Sequence, residues 1–219
     1  MTQHKKRNSN GKIKLQNVTY VYPNKKKVSF PDMIFKKGNK YIIQGESGKG
    51  KSTLLKILSG DYRTYEGTIM INNRDLSKIP LVDLKRKVAV VDQKTHIFNA
   101  TLKENIILNT SYDSVKLNKV LKNSRLDKLV NSLPNGINTV MDDNNVTLSG
   151  GQIQRISIAR AMYHDREIVI MDEGTSSLDK NNALMIEKNL IDNPSITLIM
   201  VTHNLYEEIA DLVDDIYVL

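Results

Sequence analysis

Gly45-Glu46-Ser47-Gly48-Lys49-Gly50-Lys51-Ser52-Thr53 fits the spacing G-x-x-x-x-G-K-[ST] of a phosphate-binding loop. Its flanks agree with that reading. Lys40-Tyr41-Ile42-Ile43-Gln44 reads as a short buried strand, and Ser52 to Leu58 reads as a helix stopped by Gly60. Glycines let the backbone curl until successive N–H groups face one concavity, which suits an anion. The helix N-terminus adds unpaired donors and a partial positive charge. On this reading Lys51 reaches the β- and γ-phosphates of a nucleotide, and the Ser52 hydroxyl ligates Mg2+. The bare pattern also arises by chance in Gly/Ser turns; the strand before it and the helix after it are what set this instance apart.

Upstream of the loop, Ile13 to Tyr22 alternates apolar and polar residues and predicts a strand. Val28 to Phe35 predicts a second strand, and Pro31 inside it suggests a sheet edge. Together they predict an antiparallel sheet beside the nucleotide site. Downstream, Gly67 to Ile71 predicts a short strand followed by a turn at Asn72-Asn73. The run Val88-Ala89-Val90-Val91 suits a central strand. From Lys94 to Met162 the texture turns helical, with segments at Leu102–Leu108, Ser114–Leu121 and Leu126–Leu133. Strands are expected again at Glu167–Met171, Ile196–Val201 and Asp215–Leu219. Strands alternating with helices argue for a largely parallel sheet with helices on its faces.

The chain has 219 residues, 40% of them hydrophobic, enough for a substantial core in one domain with subdomains. Cysteine is absent, so there is no disulfide framework and no thiolate metal site. No apolar run is long enough to cross a bilayer, and the polar N-terminus does not read as a secretory signal. A soluble, intracellular chain is the expectation. Net charge is +8, concentrated in residues 1–40, where Asp32 is the single acid. Such an end could meet nucleic acid, anionic lipid or an acidic partner. No aromatics alternate with the basic residues, so a solvated tail is the simpler reading and no nucleic-acid partner is expected. Residues 1–12 read as a disordered basic arm.

Two further motifs carry chemistry. Ile168-Val169-Ile170-Met171-Asp172-Glu173 is a buried strand that delivers two carboxylates to its C-terminal edge, where α/β sheets bind ligands. Asp172 would hold Mg2+, directly or through water, and Glu173 would polarise a water for attack on the γ-phosphorus. Leu148-Ser149-Gly150-Gly151-Gln152 opens a helix through Met162, with Ser149 as N-cap and bare amides at the glycines, a second anion site. At this point the chain resembles the ATP-binding cassette (ABC) ATPases, whose signature is L-S-G-G-Q.

The resemblance covers Ile13 to Leu219. It implies an α/β P-loop NTPase core of RecA-like type, with an antiparallel β subdomain and an inserted helical subdomain. The ATP-binding core would comprise residues 13–93 and 163–219, and the helical signature subdomain residues 94–162. It implies that Tyr22 stacks on adenine, with Tyr20 as the competing core aromatic. Gln93 matches the Q-loop glutamine, which senses Mg2+ and the attacking water. Asp179, in Ser176-Ser177-Leu178-Asp179, matches the D-loop that crosses a dimer interface. His203 matches the switch histidine that contacts the γ-phosphate. The chain departs from the family pattern at Lys49, where a small residue is common and a solvent-facing side chain is expected. It departs also at Asp92, where proline is frequent, and at Gly174, where alanine is common.

Softer similarities, at Asn99 to Ile106 and at Leu133-Pro134-Asn135-Gly136-Ile137-Asn138-Thr139-Val140, point to exporter-type cassettes. There Asp142-Asp143 would fall in an acidic loop that touches the membrane domain, with Asn145 where glycine is usual. The resemblance implies two copies, or a pseudo-dimer, associated head to tail. Each ATP would lie between Gly45–Thr53 of one copy and Ser149–Gln152 of the other, powering the transmembrane domains of an exporter from the cytoplasmic face. Two alternatives remain: a soluble cassette ATPase without a transport role, and a nucleotide-binding regulator without turnover. About 60 residues between Gln93 and Ser149 are too few for the long coiled coil of DNA-repair members. Glu173 and His203 argue against the regulator. Family members commonly continue beyond the strand at which this chain stops.

Overall fold

The computed structural model describes residues 12–92, 95–142, 146–202 and 205–219. Gln93 and His203, most of the basic arm, and Asp143 and Asn145 lie outside the described residues.

Among the described residues, ten strands form two five-stranded sheets. In the first, β1 (Lys12–Val21) is the spine, and every pairing is antiparallel. One side of β1 pairs with β5 (Glu66–Ile71), which turns through Asn72 and Asn73, both left-handed, into β6 (Arg74–Asp75). That is the backbone a tight two-residue hairpin requires. The other side pairs with β2 (Lys27–Ser29) and β3 (Met33–Lys36) in succession. These are the two halves of the segment that Pro31 interrupts. The edge groups of Ile34 are met by the Tyr217 hydroxyl, which accepts from its N–H and donates to its carbonyl, both at 3.1 Å.

The second sheet is wholly parallel, in the order β10 (Asp215–Val218), β4 (Lys40–Gln44), β9 (Thr197–Val201), β8 (Ile168–Asp172), β7 (Val88–Val91). One expectation is corrected here: β7 is an edge strand, pairing only with β8. Its apolar run reports that its faces are covered, with Val91 fully buried and α6 (Gly150–Tyr163) packed beside it. Side-chain patterns record which faces are buried and not which edges are paired.

The remaining helices are α1 (Lys51–Leu58), α2 (Leu81–Lys85), α3 (Leu102–Ile107), α4 (Ser114–Asn123), α5 (Asp127–Ser132), α7 (Lys180–Ile191) and α8 (Glu207–Ala210). Among the described residues, none is long and apolar enough to cross a membrane.

Three apolar cores result. One face of the parallel sheet (Ile43, Ile170, Ile199) packs with α1 (Leu54, Ile57, Leu58) against the antiparallel sheet (Leu15, Phe35, Ile69). Truncating a fully buried leucine such as Leu54 to alanine costs about 2–5 kcal/mol. The other face (Ile42, Val169, Leu198) packs with Ile186 and Leu190 of α7 and Ile158 of α6. The third core is helical, joining α3, α4 and α5 to Ile156, Ala159 and Tyr163. Thus α6 sends opposite faces into two cores and joins the helical part to the sheet. Arg160, on the same helix, donates from Nε to the Asn105 carbonyl at 2.6 Å, from one terminal nitrogen to Asn105 Oδ1 at 2.9 Å and from the other to the His96 carbonyl at 2.7 Å. Burial pushes this guanidinium down to about 10. It pins α6 to the segment that leads into α3.

Candidate functional site

Parallel strands bring their C-terminal ends to one edge, and the loops that follow them form the site. The phosphate loop leaves β4 at Gly45 and enters α1 through Gly50, its N-cap, which is left-handed (φ 93°) and has no side chain capping the helix. A Cβ on Gly50 would stand 2.6 Å from Val28 Cγ2, so both its dihedral and the approach of β2 require glycine. The first-turn amides are therefore left for a ligand, as an anion-binding helix end requires. Lys51 is 6% exposed, and its Nζ donates to the Gly45 carbonyl at 2.7 Å and the Glu46 carbonyl at 3.0 Å. The ammonium thus lies folded within the loop, where phosphate oxygens would replace two neutral acceptors with charged ones. Glu46, Ser47, Gly48, Lys49 and Ser52 are exposed at its surface.

Tyr22 stands beside this loop, its hydroxyl paired with Thr53 Oγ1 at 2.5 Å. Tyr20 stacks on Tyr62 (centroids 4.8 Å apart, planes at 9°) and packs on the first core. The competing aromatic is thereby engaged in packing, and Tyr22 is the one placed at the phosphate loop.

Asp172 ends β8 in register with Val201 at the end of β9. Burial pushes its carboxyl above the ordinary range, a hydrogen bond from the Ser52 side chain opposes this, and the nearby charges of Asp92 and Glu173 add to the rise. Two hard oxygen donors, Ser52 in the first turn of α1 and Asp172 at the end of β8, thus already meet. A carboxylate crowded by other anions is one that a divalent cation would relieve, so this donor set fits Mg2+. Glu173 follows in the left-handed region (φ 52°), its N–H donating to the Val201 carbonyl at 3.0 Å. Asp92, after β7, and Thr202, after β9, follow strands that end on this edge.

Gly174 has a reason that the sequence does not supply. Val91 Cγ1 and Met171 Cε lie 2.8 and 2.9 Å from where its Cβ would be, so neighbouring side chains fill the space that an alanine methyl would take.

The signature loop is built differently. The Ser149 hydroxyl accepts from Gln152 N at 3.2 Å, and Gln152 Oε1 accepts from Ser149 N at 2.7 Å, a reciprocal capping box at the start of α6. Gly150 and Gly151 pack on Ser177 and Leu178. Asp179 caps α7: Oδ1 accepts from Asn182 N at 3.0 Å and Oδ2 from its side-chain amide at 2.6 Å. Those bonds hold its carboxyl below the ordinary range. Behind the turn, burial pushes the Glu187 carboxyl up, against a hydrogen bond from Thr175.

One residue of this region was not singled out from sequence. Gln154 is 1% exposed and bonds three groups of the turn after Glu173. A glutamine inside a helix reads as a solvated position. The available signal was its place two residues past Gln152, which puts it on a different face from the cap.

Comparison with known proteins agrees with this geometry. The family model described as "ABC transporter" matches residues 28–176. An ATP-dependent lipid A-core flippase of Pseudoalteromonas atlantica is 37% identical over 201 residues, covering 89% of this chain and 34% of that protein. The flippase of the same name from Escherichia coli is 34% identical over 200 residues, again 89% of this chain and 34% of the relative. A solved bacterial Atm1-family ABC exporter with ATP bound superposes with a TM-score of 0.87 at 28% identity, covering 96% of this chain and 37% of the other. The chain therefore spans about a third of the length of the curated relatives it matches.

Proposed function

The chain belongs to the ABC transporter family, as an ATP-binding and ATP-hydrolysing domain of exporter type, and from that premise we propose how its residues work. The proposed unit is a head-to-tail pair of these domains, or a pseudo-dimer, that binds two ATP molecules between its members. It powers export through transmembrane domains from the cytoplasmic side of a membrane. The observation that carries this reading is the pairing of an open, uncapped phosphate loop over buried Lys51 with a carboxylate-bearing strand end at Asp172-Glu173.

The amides from Gly48 to Thr53 and the Lys51 ammonium grip the β- and γ-phosphates, and Tyr22 supports the base. Ser52 and Asp172 would hold Mg2+, which would neutralise charge on the phosphates. Glu173 accepts a proton from the attacking water, and Gln93 and His203 orient that water and the γ-phosphate. Ser149 to Gln152 of the second copy approach the same phosphates from the far side, and Asp179 stands at the joint. Once the γ-phosphate leaves, the pair loses its bridge and parts. Purified protein is expected to release phosphate from Mg-ATP. Absence of release, with correctly folded protein and a tethered or concentrated pair, would overturn the reading.

A further inference from the structure

We propose that Gln154 is a positioning residue for Glu173, tying the helix of the signature loop to the turn that carries the general base. The inference rests on the role given to Glu173 above. Gln154 sits one turn into α6 and is almost wholly buried. Its Nε2 donates to the Glu173 carbonyl and to Ser176 Oγ, both at 3.3 Å, and its Oε1 accepts from Ser177 N at 3.0 Å. A primary amide has two donors and two acceptor lone pairs, and here every bond it makes goes to one turn.

That turn needs holding. Glu173 occupies a left-handed conformation that residues other than glycine seldom adopt without surrounding constraint. Its backbone is held on both sides. The N–H donates to the Val201 carbonyl of the sheet, and the carbonyl accepts from Ser176 N–H within the turn at 3.0 Å and from Gln154 of α6 at 3.3 Å. The direction in which the Glu173 side chain leaves the backbone is therefore set by the sheet, by the turn itself and by α6. The contact is close along its length: a Cβ on Gly151 would lie 3.1 Å from the Ser177 carbonyl oxygen. Because α6 also opens with the signature loop, a shift of that loop against a phosphate is passed to Glu173 by a direct bond. The base is aligned when the signature helix is seated, and loosened when it is not.

The alternative is that Gln154 only fills space. Gln154→Met keeps the volume and removes the amide. Steady-state phosphate release and ATP titration calorimetry on the whole chain are expected to give a kcat lower by about tenfold to a hundredfold, with KM and the ATP dissociation constant within about twofold of wild type. Gln154→Glu keeps the acceptor for Ser177 N–H but sets a carboxylate oxygen against the Glu173 carbonyl. It is expected to be equally slow, and it carries the test if the methionine variant does not fold. A wild-type kcat in either variant overturns the proposal, and so does a loss of ATP affinity that matches the loss of kcat. Glu173→Gln is measured alongside. Undiminished turnover in that variant overturns the assignment of Glu173 itself, whereas its loss together with wild-type turnover in Gln154→Met overturns only the role of Gln154.

Discussion

The two glycine-rich loops both open helices, yet one is left unsatisfied and the other satisfies itself. At the phosphate loop, α1 begins at a left-handed glycine with no side-chain cap, over a buried lysine whose ammonium bonds two backbone carbonyls. At the signature loop, Ser149 and Gln152 close a capping box, and the glycines rest on Ser177 and Leu178. The first is a site with donors and charge in place and no side-chain cap of its own. The second is stable without a ligand and exposes Ser149 outward. On the proposed function the first loop binds and the second detects, so substitutions in them should fail in different ways.

The largest effect should come from the carboxylate between them. Glu173→Gln is expected to lower phosphate release about 10²- to 10⁴-fold while leaving ATP binding intact. A phosphate-release assay with excess Mg-ATP checks it, and a rate within a few-fold of wild type would remove the general base from the account. Next is Lys51→Ala, which takes away a charge-assisted contact worth about 1.5–3 kcal/mol, or roughly tenfold to a hundredfold in the ATP dissociation constant. Calorimetric titration of the single chain reads this directly.

Ser149→Ala sharpens the contrast. It should leave single-chain ATP affinity unchanged and cost about 1 kcal/mol of stability through the lost cap, seen in denaturant unfolding. It should also slow turnover in the paired state. An effect on single-chain affinity would show that the second loop binds in its own chain. The smallest effect concerns the turn on which the signature loop rests. Burial raises the Glu187 carboxyl above its unfolded value, so between the two values the folded state binds that proton more firmly than the unfolded state does. The stability linked to that proton is present at low pH and lost as pH rises through the raised value. Glu187→Gln, which cannot ionise, should therefore gain on wild type in unfolding experiments as pH rises above the ordinary carboxylate range.

Sequence made legible whatever is encoded within a few residues. The phosphate loop, the Ser149 cap, the Pro31 break and the run ending in Asp172-Glu173 each lie in one short stretch, and the element order gave the α/β class. What stayed hidden depends on pairing across long separations. The run Val88–Val91 looked central because its faces are covered, while its free edge is a matter of sheet order. The roles of Gln154 and Arg160 stayed hidden because their partners lie about 20 to 60 residues away. The reason for glycine at 174, where alanine is common, lies in Val91 and Met171, which fill the missing methyl's place.

The claim at the centre is that ATP joins two copies by occupying the open loop of one and meeting the self-capped loop of the other. Sedimentation velocity of Glu173→Gln with Mg-ATP and with Mg-ADP tests it most directly. The account predicts a dimer with ATP, a monomer with ADP, and loss of the dimer when Ser149→Ala is added. A monomer at saturating ATP, or a dimer indifferent to both the nucleotide and Ser149, would contradict it.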